Sequence, residues 1–492
     1  MFRKSSDEKF IEKVIKKGKE DIIFFATVLL NRRPTPGISG RSYEINGRRY
    51  PYMGQAGWLR FANRKINCLA TSNRWGKSTV SAIKHLWHGF YKIGWEGTIK
   101  EFATKTYYTL NCGPETDLTN PVFKEISDIR QDPECLIADS FQEVRIDKYF
   151  KGFRFDNSAE VHFRTTAKKA KGIHGKPYHY ISFDECDREN YLDEIVTEVL
   201  LPRTLDTGGR IDLISTPAGV LQFKDYFDRG FLEEYKKDFY SQAGIIEENS
   251  TEYGGYLLPK DIEEIRRTIL ASNPRILDQV MKGSFIEAPD AVFHHDTISK
   301  FFDKELPEAQ PGKQDRQYVA GWDLGITADP TVGFVLDVTE KPYKTVRYEY
   351  LLDEKPEIIY QRIREVHSQY GIKPSMTIID AAGMGGQMFL KELSSDVRPT
   401  EWVTGRRKGM DKIGLVTALI RGMDNEEIKC FPIPKFRDEL YRYRWKDDRL
   451  RCDHLMSMAM AYWQTRRHEA YKKMNVVDFN PLSIPGRRSY GH

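Results

Sequence analysis

One octapeptide restricts the fold more than any other stretch: Thr71-Ser72-Asn73-Arg74-Trp75-Gly76-Lys77-Ser78. Residues 65–70 before it (KINCLA) read as a buried strand, and residues 79–86 after it (TVSAIKHL) read as a helix. A loop between two such elements turns several backbone N–H groups and a helix N-terminus toward one point, and that arrangement binds phosphate. The usual spacing is G-x-x-x-x-G-K-[ST]; here Thr71 stands in place of the first glycine. Gly76 lets the backbone approach phosphates closely, Lys77 supplies a cation for the β- and γ-phosphates, and Ser78 can hold Mg²⁺. Thr71 to Ser78, with Thr79 opening the helix, are the expected nucleotide-binding residues. Just upstream, Gln55 lies among Tyr52, Met53 and Trp58. It is the candidate for reading an adenine edge, with a surface glutamine as the alternative.

The second informative stretch is Tyr178-His179-Tyr180-Ile181-Ser182-Phe183-Asp184-Glu185. An apolar strand that ends in two adjacent carboxylates is costly unless the charges serve a ligand. Asp184 is expected to share Mg²⁺ with Ser78, and Glu185, pointing elsewhere, to polarise the attacking water. Residues 210–217 (RIDLISTP) read as another strand, one that would lie beside the acidic one. Its end would put Ser215 and Thr216 near the γ-phosphate, where they can report its loss. Arg74 and Arg203 are the candidates for a transition-state arginine. Arg74 is preferred, since an arginine inside such a loop rarely has a packing reason to be there.

A chain of 492 residues implies several domains. With 40% hydrophobic and 30% charged residues, packed domains are expected rather than disorder. The net charge of +5 is too small to prove a nucleic-acid partner. From Arg466 onward, however, six Lys/Arg face only Glu469 and Asp478, a basic tail suited to phosphate or to solvent. The six cysteines show no C-x-x-C pairing and read as reduced, buried thiols. No apolar run is long enough to span a bilayer, so no membrane partner is expected.

Along the chain, residues 7–30 read as one amphipathic helix, followed by a Pro/Gly/Arg loop. Residues 106–112 and 161–165 read as strands, and 168–176 as a basic, Gly-containing loop. Residues 220–285 read as helical and charged with few strand signals; 288–290 and 306–314 read as linkers.

A different rhythm then begins. Residues 317–325 form a strand ending on Asp323, and two further strands follow at 331–338 and 345–351. A helix (357–370) and an apolar strand ending on Asp380 come next. Two helices flank a short strand, and a last helix opens at Cys452-Asp453-His454. Strand-strand-strand-helix-strand, with acids at the ends of the first and fourth strands and at a late helix start, is the order of ribonuclease-H-like folds. Three such acids form a hard-oxygen site for Mg²⁺ or Mn²⁺, and two ions there can cut a phosphodiester. Asp323, Asp380 and Asp453 are the expected ligands; Glu439, Asp447 and Asp448 are weaker candidates.

In this order the motifs 73–78, 181–185 and 215–217, the segment Met281-Lys282-Gly283-Ser284-Phe285 and the three aspartates resemble the large terminase subunit of tailed bacteriophages, over roughly residues 50–465. The resemblance implies an α/β chain: an N-terminal ASCE P-loop ATPase domain followed by a ribonuclease-H-like nuclease domain. The expected divisions are a helical/loop arm (1–50), the ATPase core (51–220), a helical subdomain and linker (221–314), the nuclease (315–467) and a basic tail (468–492). It further implies ATP-driven translocation of double-stranded DNA into a procapsid, with endonucleolytic cuts in concatemeric DNA at start and end. The implied partners are the portal protein, a terminase small subunit and a homo-oligomeric ring of such subunits. The implied location is the host cytoplasm, docked transiently on the procapsid and absent from the mature virion. The alternative is an ATP-dependent helicase-nuclease of repair or recombination. His454 departs from the family pattern, in which many relatives carry a second acid.

Overall fold

The computed structural model describes residues 8–45, 47–95, 106–148, 150–167, 170–173, 175–189, 191–287, 290–325, 330–352, 354–380, 400–402, 412–445 and 452–476. Two compact units divide the chain, residues 1–288 and 289–492. The basic stretch at 168–176 is described only in part, without Lys168, Lys169 and His174. Asp447, Asp448 and the tail beyond residue 476 lie outside the described residues.

The first unit is built on an eight-stranded sheet. Its strands are β3 (Ile66–Thr71), β4 (Tyr108–Gly113), β5 (Phe141–Arg145), β6 (Lys151–Phe155), β7 (Glu160–Thr165), β8 (Tyr180–Asp184), β9 (Arg210–Ser215) and β10 (Phe239–Gly244). A separate two-stranded hairpin, β1 (Ser42–Ile45) with β2 (Arg48–Pro51), precedes them. The order across the large sheet is β10-β3-β9-β8-β4-β7-β6-β5. The strands from β10 to β7 are mutually parallel, and β6 and β5 add an antiparallel edge. Every residue of β3 and β8 is buried, as expected of strands covered on both faces. Alternate residues feed two cores: Leu69 and Ile214 on one face, Cys68, Ala70, Ile211 and Leu213 on the other.

The β9 strand lies between β3 and β8, so the phosphate-loop strand and the acidic strand are not neighbours. Two expectations need correction here. The stretch 220–285 is not helical throughout, because β10 runs through it and pairs with β3 residue for residue. Its Phe-Tyr-Ser-Gln-Ala-Gly sequence has no β-branched residue and sits between charged runs, so the usual strand signal is missing. Residues 7–30 are likewise not one helix. Helix α1 (Glu8–Glu20) stops, and Asp21 caps a new turn by accepting from Ile23 N (2.9 Å) and Phe24 N (3.3 Å). The chain continues as a π-helical turn, Phe25–Leu29, whose Phe25, Ala26 and Leu29 are buried in the first unit's core.

The remaining helices of this unit used below are α2 (Gly54–Phe61), α3 (Lys77–Tyr91), α4 (Thr116–Gln131), α5 (Gln222–Arg229), α6 (Pro259–Ser272) and α7 (Leu277–Lys282).

The second unit holds a six-stranded mixed sheet: β11 (Tyr318–Asp323), β12 (Thr331–Asp337), β13 (Tyr343–Leu351), β14 (Thr377–Asp380), β15 (Thr400–Trp402) and β16 (Ile428–Lys429). The order is β15-β14-β11-β12-β13-β16. β11, β12 and β13 form an antiparallel meander, and β14 joins β11 in parallel. This is the strand order expected from the sequence. Helix α8 (Pro356–Tyr370) covers one face through Ile359, Ile363 and Val366. Helices α9 (Lys412–Asp424), α10 (Pro434–Arg442) and α11 (Asp453–Val476) follow. α11 crosses β11 so closely that a Cβ on Gly321 would lie 2.3 Å from Ser457 O. No helix of the described residues is long and apolar enough to cross a membrane, and all six cysteines are free thiols.

Candidate active sites

The loop between β3 and α3 is gripped by protein on its inner side. Thr71 is still part of β3, opposite Gly244, and has no positive φ. The left-handed residues are Arg74 (φ 64°) and Gly76 (φ 103°). The strand thus runs one residue into the loop, and nothing at position 71 requires glycine. Gly76 is needed twice over: for its φ, and because a Cβ there would lie 2.4 Å from Gln55 Nε2. That amide donates to Trp75 O (2.8 Å), and Gln55 Oε1 accepts from Thr35 N (3.2 Å). Gln55 is buried beneath the loop with donor and acceptor both committed to backbone.

Trp75 points inward, fully buried, and its Nε1 donates to Glu248 Oε2 (2.5 Å). The same carboxylate accepts from Gly54 N (2.8 Å) and Ile245 N (3.1 Å). Burial pushes Glu248 up to about 7, against the pull of those three donors. Asn249 Nδ2 fixes Arg74 O (2.6 Å), and Asn73 N donates to Val280 O (3.2 Å). Gly283, left-handed at the end of α7, lies so near that a Cβ would be 2.4 Å from Thr71 C. Sequence reading missed Glu248 and Asn249, since Glu247-Glu248-Asn249 looks like a solvated charge run.

On the outer side the reactive groups converge. Lys77 Nζ donates to Thr216 Oγ1 (2.6 Å) and pairs with Glu185 Oε1 at 3.2 Å. Thr216 Oγ1 in turn donates to Asn73 Oδ1 (3.0 Å), and Ser215 Oγ lies 3.4 Å from Glu185 Oε2. Glu185 reaches this cluster because it is left-handed (φ 51°), which turns the chain sharply at the end of β8. Asp184, buried, accepts from Glu185 N (3.1 Å). Desolvation first, then the neighbouring Glu185 charge, raise its pKa to about 7, against the attraction of Lys77. The hydroxyls Thr71 Oγ1 and Ser72 Oγ are buried without hydrogen-bond partners. A hard-oxygen set of Ser78 and Asp184 fits Mg²⁺ chemically. Ser78 and Thr79 stand half-buried in the first turn of α3. Arg74 is exposed. Arg203 sits elsewhere: its carbonyl accepts from Tyr178 N (2.7 Å), at the far end of β8, roughly 20 Å of extended chain from Asp184. Within one chain Arg203 is therefore not at the same loop as Arg74.

In the second unit, Asp323 and Asp380 are register partners at the ends of adjacent parallel strands, whose backbones run about 4.8 Å apart. Asp453 is the first residue of α11. Each of the three has an interaction partner within the protein. The half-buried Cys452 thiol is pushed up to about 11, chiefly by desolvation and against Lys412, with Glu439, Asp323 and Asp453 adding to the rise; those carboxylates share one electrostatic neighbourhood. Among the described residues no three His, Cys, Asp or Glu side chains close into a ready cation cage. The structure thus gives a register pair, Asp323 and Asp380, and a further acid, Asp453, at a helix start. Two carboxylates side by side fit a hard divalent cation.

Glu439, on α10, is bound to the start of α11. Its Oε1 pairs with His454 Nδ1 (2.5 Å) and its Oε2 accepts from Leu455 N (3.0 Å). His454 Nε2 meets Tyr348 OH (2.8 Å), and the ring is stacked with Tyr350 and Phe436. His454 is thus a packed, hydrogen-bonded residue beside Asp453 and has no nitrogen left for a metal.

No protein-family model matches the chain, and no curated protein does. Among solved structures it is similar to the large terminase of bacteriophage HK97, at 12% identity over 90% of this chain and 99% of that one, with a TM-score of 0.46. It is also similar to the large terminase of a thermophilic bacteriophage in complex with ADP, at 12% identity over 83% and 96%, TM-score 0.36. A third is the large terminase nuclease of another thermophilic phage, G20c, with bound magnesium, at 20% identity over 36% and 98%, TM-score 0.31.

Proposed function

We propose that the chain is a DNA-packaging motor of the terminase kind: the first unit hydrolyses ATP to move double-stranded DNA into a procapsid, and the second cuts that DNA. The observation that carries this reading is the meeting of Lys77, Glu185, Ser215 and Thr216 at one phosphate-binding loop, in a chain that also pairs Asp323 with Asp380.

With ATP in the loop, backbone N–H groups and Lys77 hold the β- and γ-phosphates, and Ser78 and Asp184 are the residues that would hold Mg²⁺, whose charge would offset that of the phosphates. Lys77 leaves Glu185 for the phosphates, and the freed carboxylate orients a water and takes up its proton. The water oxygen bonds to the γ-phosphorus as the bond to the bridging oxygen breaks, giving ADP and phosphate. Ser215 and Thr216 feel the loss of the γ-phosphate and pass it on along β9. Arg74, exposed at the loop, serves as the arginine of the transition state.

In the second unit Asp323, Asp380 and Asp453 hold the nuclease ions, Mg²⁺ or Mn²⁺. Such ions supply an activated water and stabilise the leaving oxygen. The motor works as a ring on the portal, with a small subunit aiding DNA recognition, in the host cytoplasm.

The test is a packaging assay with purified procapsids and linear duplex. ATP-dependent protection of DNA from added nuclease, lost in Glu185→Gln, supports the reading. Strand separation without procapsid-dependent protection replaces it with a helicase-nuclease.

A further inference from the structure

Deep in the first unit, below the phosphate loop, Lys84 and Asp212 form an ion pair in which the lysine is 4% exposed and the aspartate fully buried. Lys84 also donates to Ala62 O (2.9 Å) and lies 5.2 Å from the ring centres of both Trp58 and Tyr180. Asp212 accepts from Tyr180 OH (2.9 Å) and from Asn67 Nδ2 (2.8 Å). Such a pair is weak evidence for stability, because desolvation cancels much of the attraction. Its placement says more.

Lys84 follows Lys77 on α3 by seven residues, about two turns and ~10 Å. Asp212 precedes Ser215 on β9 by three. Helix and strand are therefore joined twice, at Lys77–Thr216 above and at Lys84–Asp212 below. The upper joint is accessible, and any phosphate competes for its lysine. The lower joint is buried and hydrogen-bonded, with Lys84 at the wall of a cavity of about 510 Å³ that Arg60, His88 and Arg210 also line. Next to it, His85 fixes the same helix to β4 and β8 through Thr109 Oγ1 (2.9 Å) and Ser182 Oγ (2.7 Å).

We propose that Lys84 and Asp212 are positioning residues for ATP hydrolysis: a fulcrum about which α3 and β9 turn when phosphate takes Lys77 from Thr216 and Glu185. The pair touches no substrate. It fixes where Ser215, Thr216 and Glu185 come to rest once the upper joint has opened. A misplacement of about 1 Å at such a site costs on the order of 100-fold in rate without touching affinity.

The proposal rests on the ATPase reading, and its test separates the two. Lys84→Met/Asp212→Asn removes both charges and keeps one of the two oxygens that accept from Tyr180 and Asn67; Lys84→Arg keeps the cation. Titration with a fluorescent ATP analogue counts binding sites and gives Kd, and turnover is divided by that count, so unfolded molecules drop out. The double variant is expected to bind within about twofold of wild type and to turn over about 10- to 100-fold more slowly per site, with Lys84→Arg restoring most of the rate. Wild-type turnover per site in the double variant overturns the proposal, and so does an affinity that falls in step with turnover. Should the double variant fail to fold, hydrogen exchange on the wild type decides. Nucleotide is expected to change protection at 77–80 and 213–216 together while 84 and 212 stay fixed; a change in only one of the two elements overturns the fulcrum. A wild-type protein that binds no nucleotide removes both the fulcrum and the ATPase reading.

Discussion

Around Lys77, polar groups arrive from β8, β9, the loop itself and the segment after β10, and nearly all of them already touch. Around Asp323 only the register of two strands sets the acids side by side, and the third waits at a helix start held by Glu439. The first centre is preorganised by hydrogen bonds, which act at fixed distances in a low-dielectric interior. The second places carboxylates on neighbouring strand ends, where a cation, a proton or a hydrogen-bond donor can offset their repulsion. The difference teaches that the loop cluster is held by hydrogen bonds and an ion pair among its own side chains, whereas the acids of the second unit are set by strand register and a helix start.

The sharpest way to break that contrast is Glu185→Gln. ATP turnover is expected to fall by ~10²–10⁴-fold while nucleotide still binds; undiminished turnover would remove Glu185 from the chemistry. Next, Asp323→Asn should lower DNA cutting by ~100-fold or more and leave ATPase activity alone. Loss of both activities at once would mean that the two centres are not separable. Glu439→Gln, which loosens the start of α11 without touching the paired acids, is expected to weaken Mg²⁺-dependent cutting by ~10- to 100-fold. Calorimetric Mg²⁺ binding that does not change would reduce Glu439 to a helix cap.

Trp75→Phe keeps the ring but leaves Glu248 one donor short, at a cost of about 1–3 kcal/mol. An unchanged urea midpoint would show that the carboxylate is not what holds the loop. The smallest effect is that of pH. Asp184 and Glu248 both titrate near 7, above the usual carboxylate range, so between about pH 4.5 and 7 the folded protein keeps protons that the unfolded chain has lost. Stability without ligand should therefore decline as pH rises through that window, and Mg²⁺–nucleotide affinity should rise as Asp184 ionises. A thermal midpoint that climbs from pH 5 to 8 would contradict the buried-acid picture.

Much of this was legible in the residues because periodicity and composition carried it. β3, β8 and β9 are mostly apolar, as strands covered on both faces must be, with Asn67 and Asp212 buried among them, and β11 and β12 are likewise buried along nearly their whole length. The supports of the loop were not legible. β10 lacks β-branched residues, and Glu248 looks solvated until β10 carries it under Trp75. Gln55 was a candidate for an adenine edge, with a surface glutamine as the alternative; its burial and its bonds to Trp75 O and Thr35 N were not visible, because sequence shows proximity to a loop and not the direction of an amide. Asp453 was readable as a helix opener, but the grip of Glu439 on His454 and Leu455 joins residues from different helices, and only folding brings them together.

Thr71 carries a wider consequence. Because β3 extends one register position further and the backbone first turns left-handed at Arg74, the leading glycine of the familiar signature is optional hardware in this scaffold, whereas Gly76 is not. Pattern searches that demand both will pass over chains of this build. A search keyed to a fully buried strand, a lone glycine before Lys-Ser and a buried indole between them suits chains of this build.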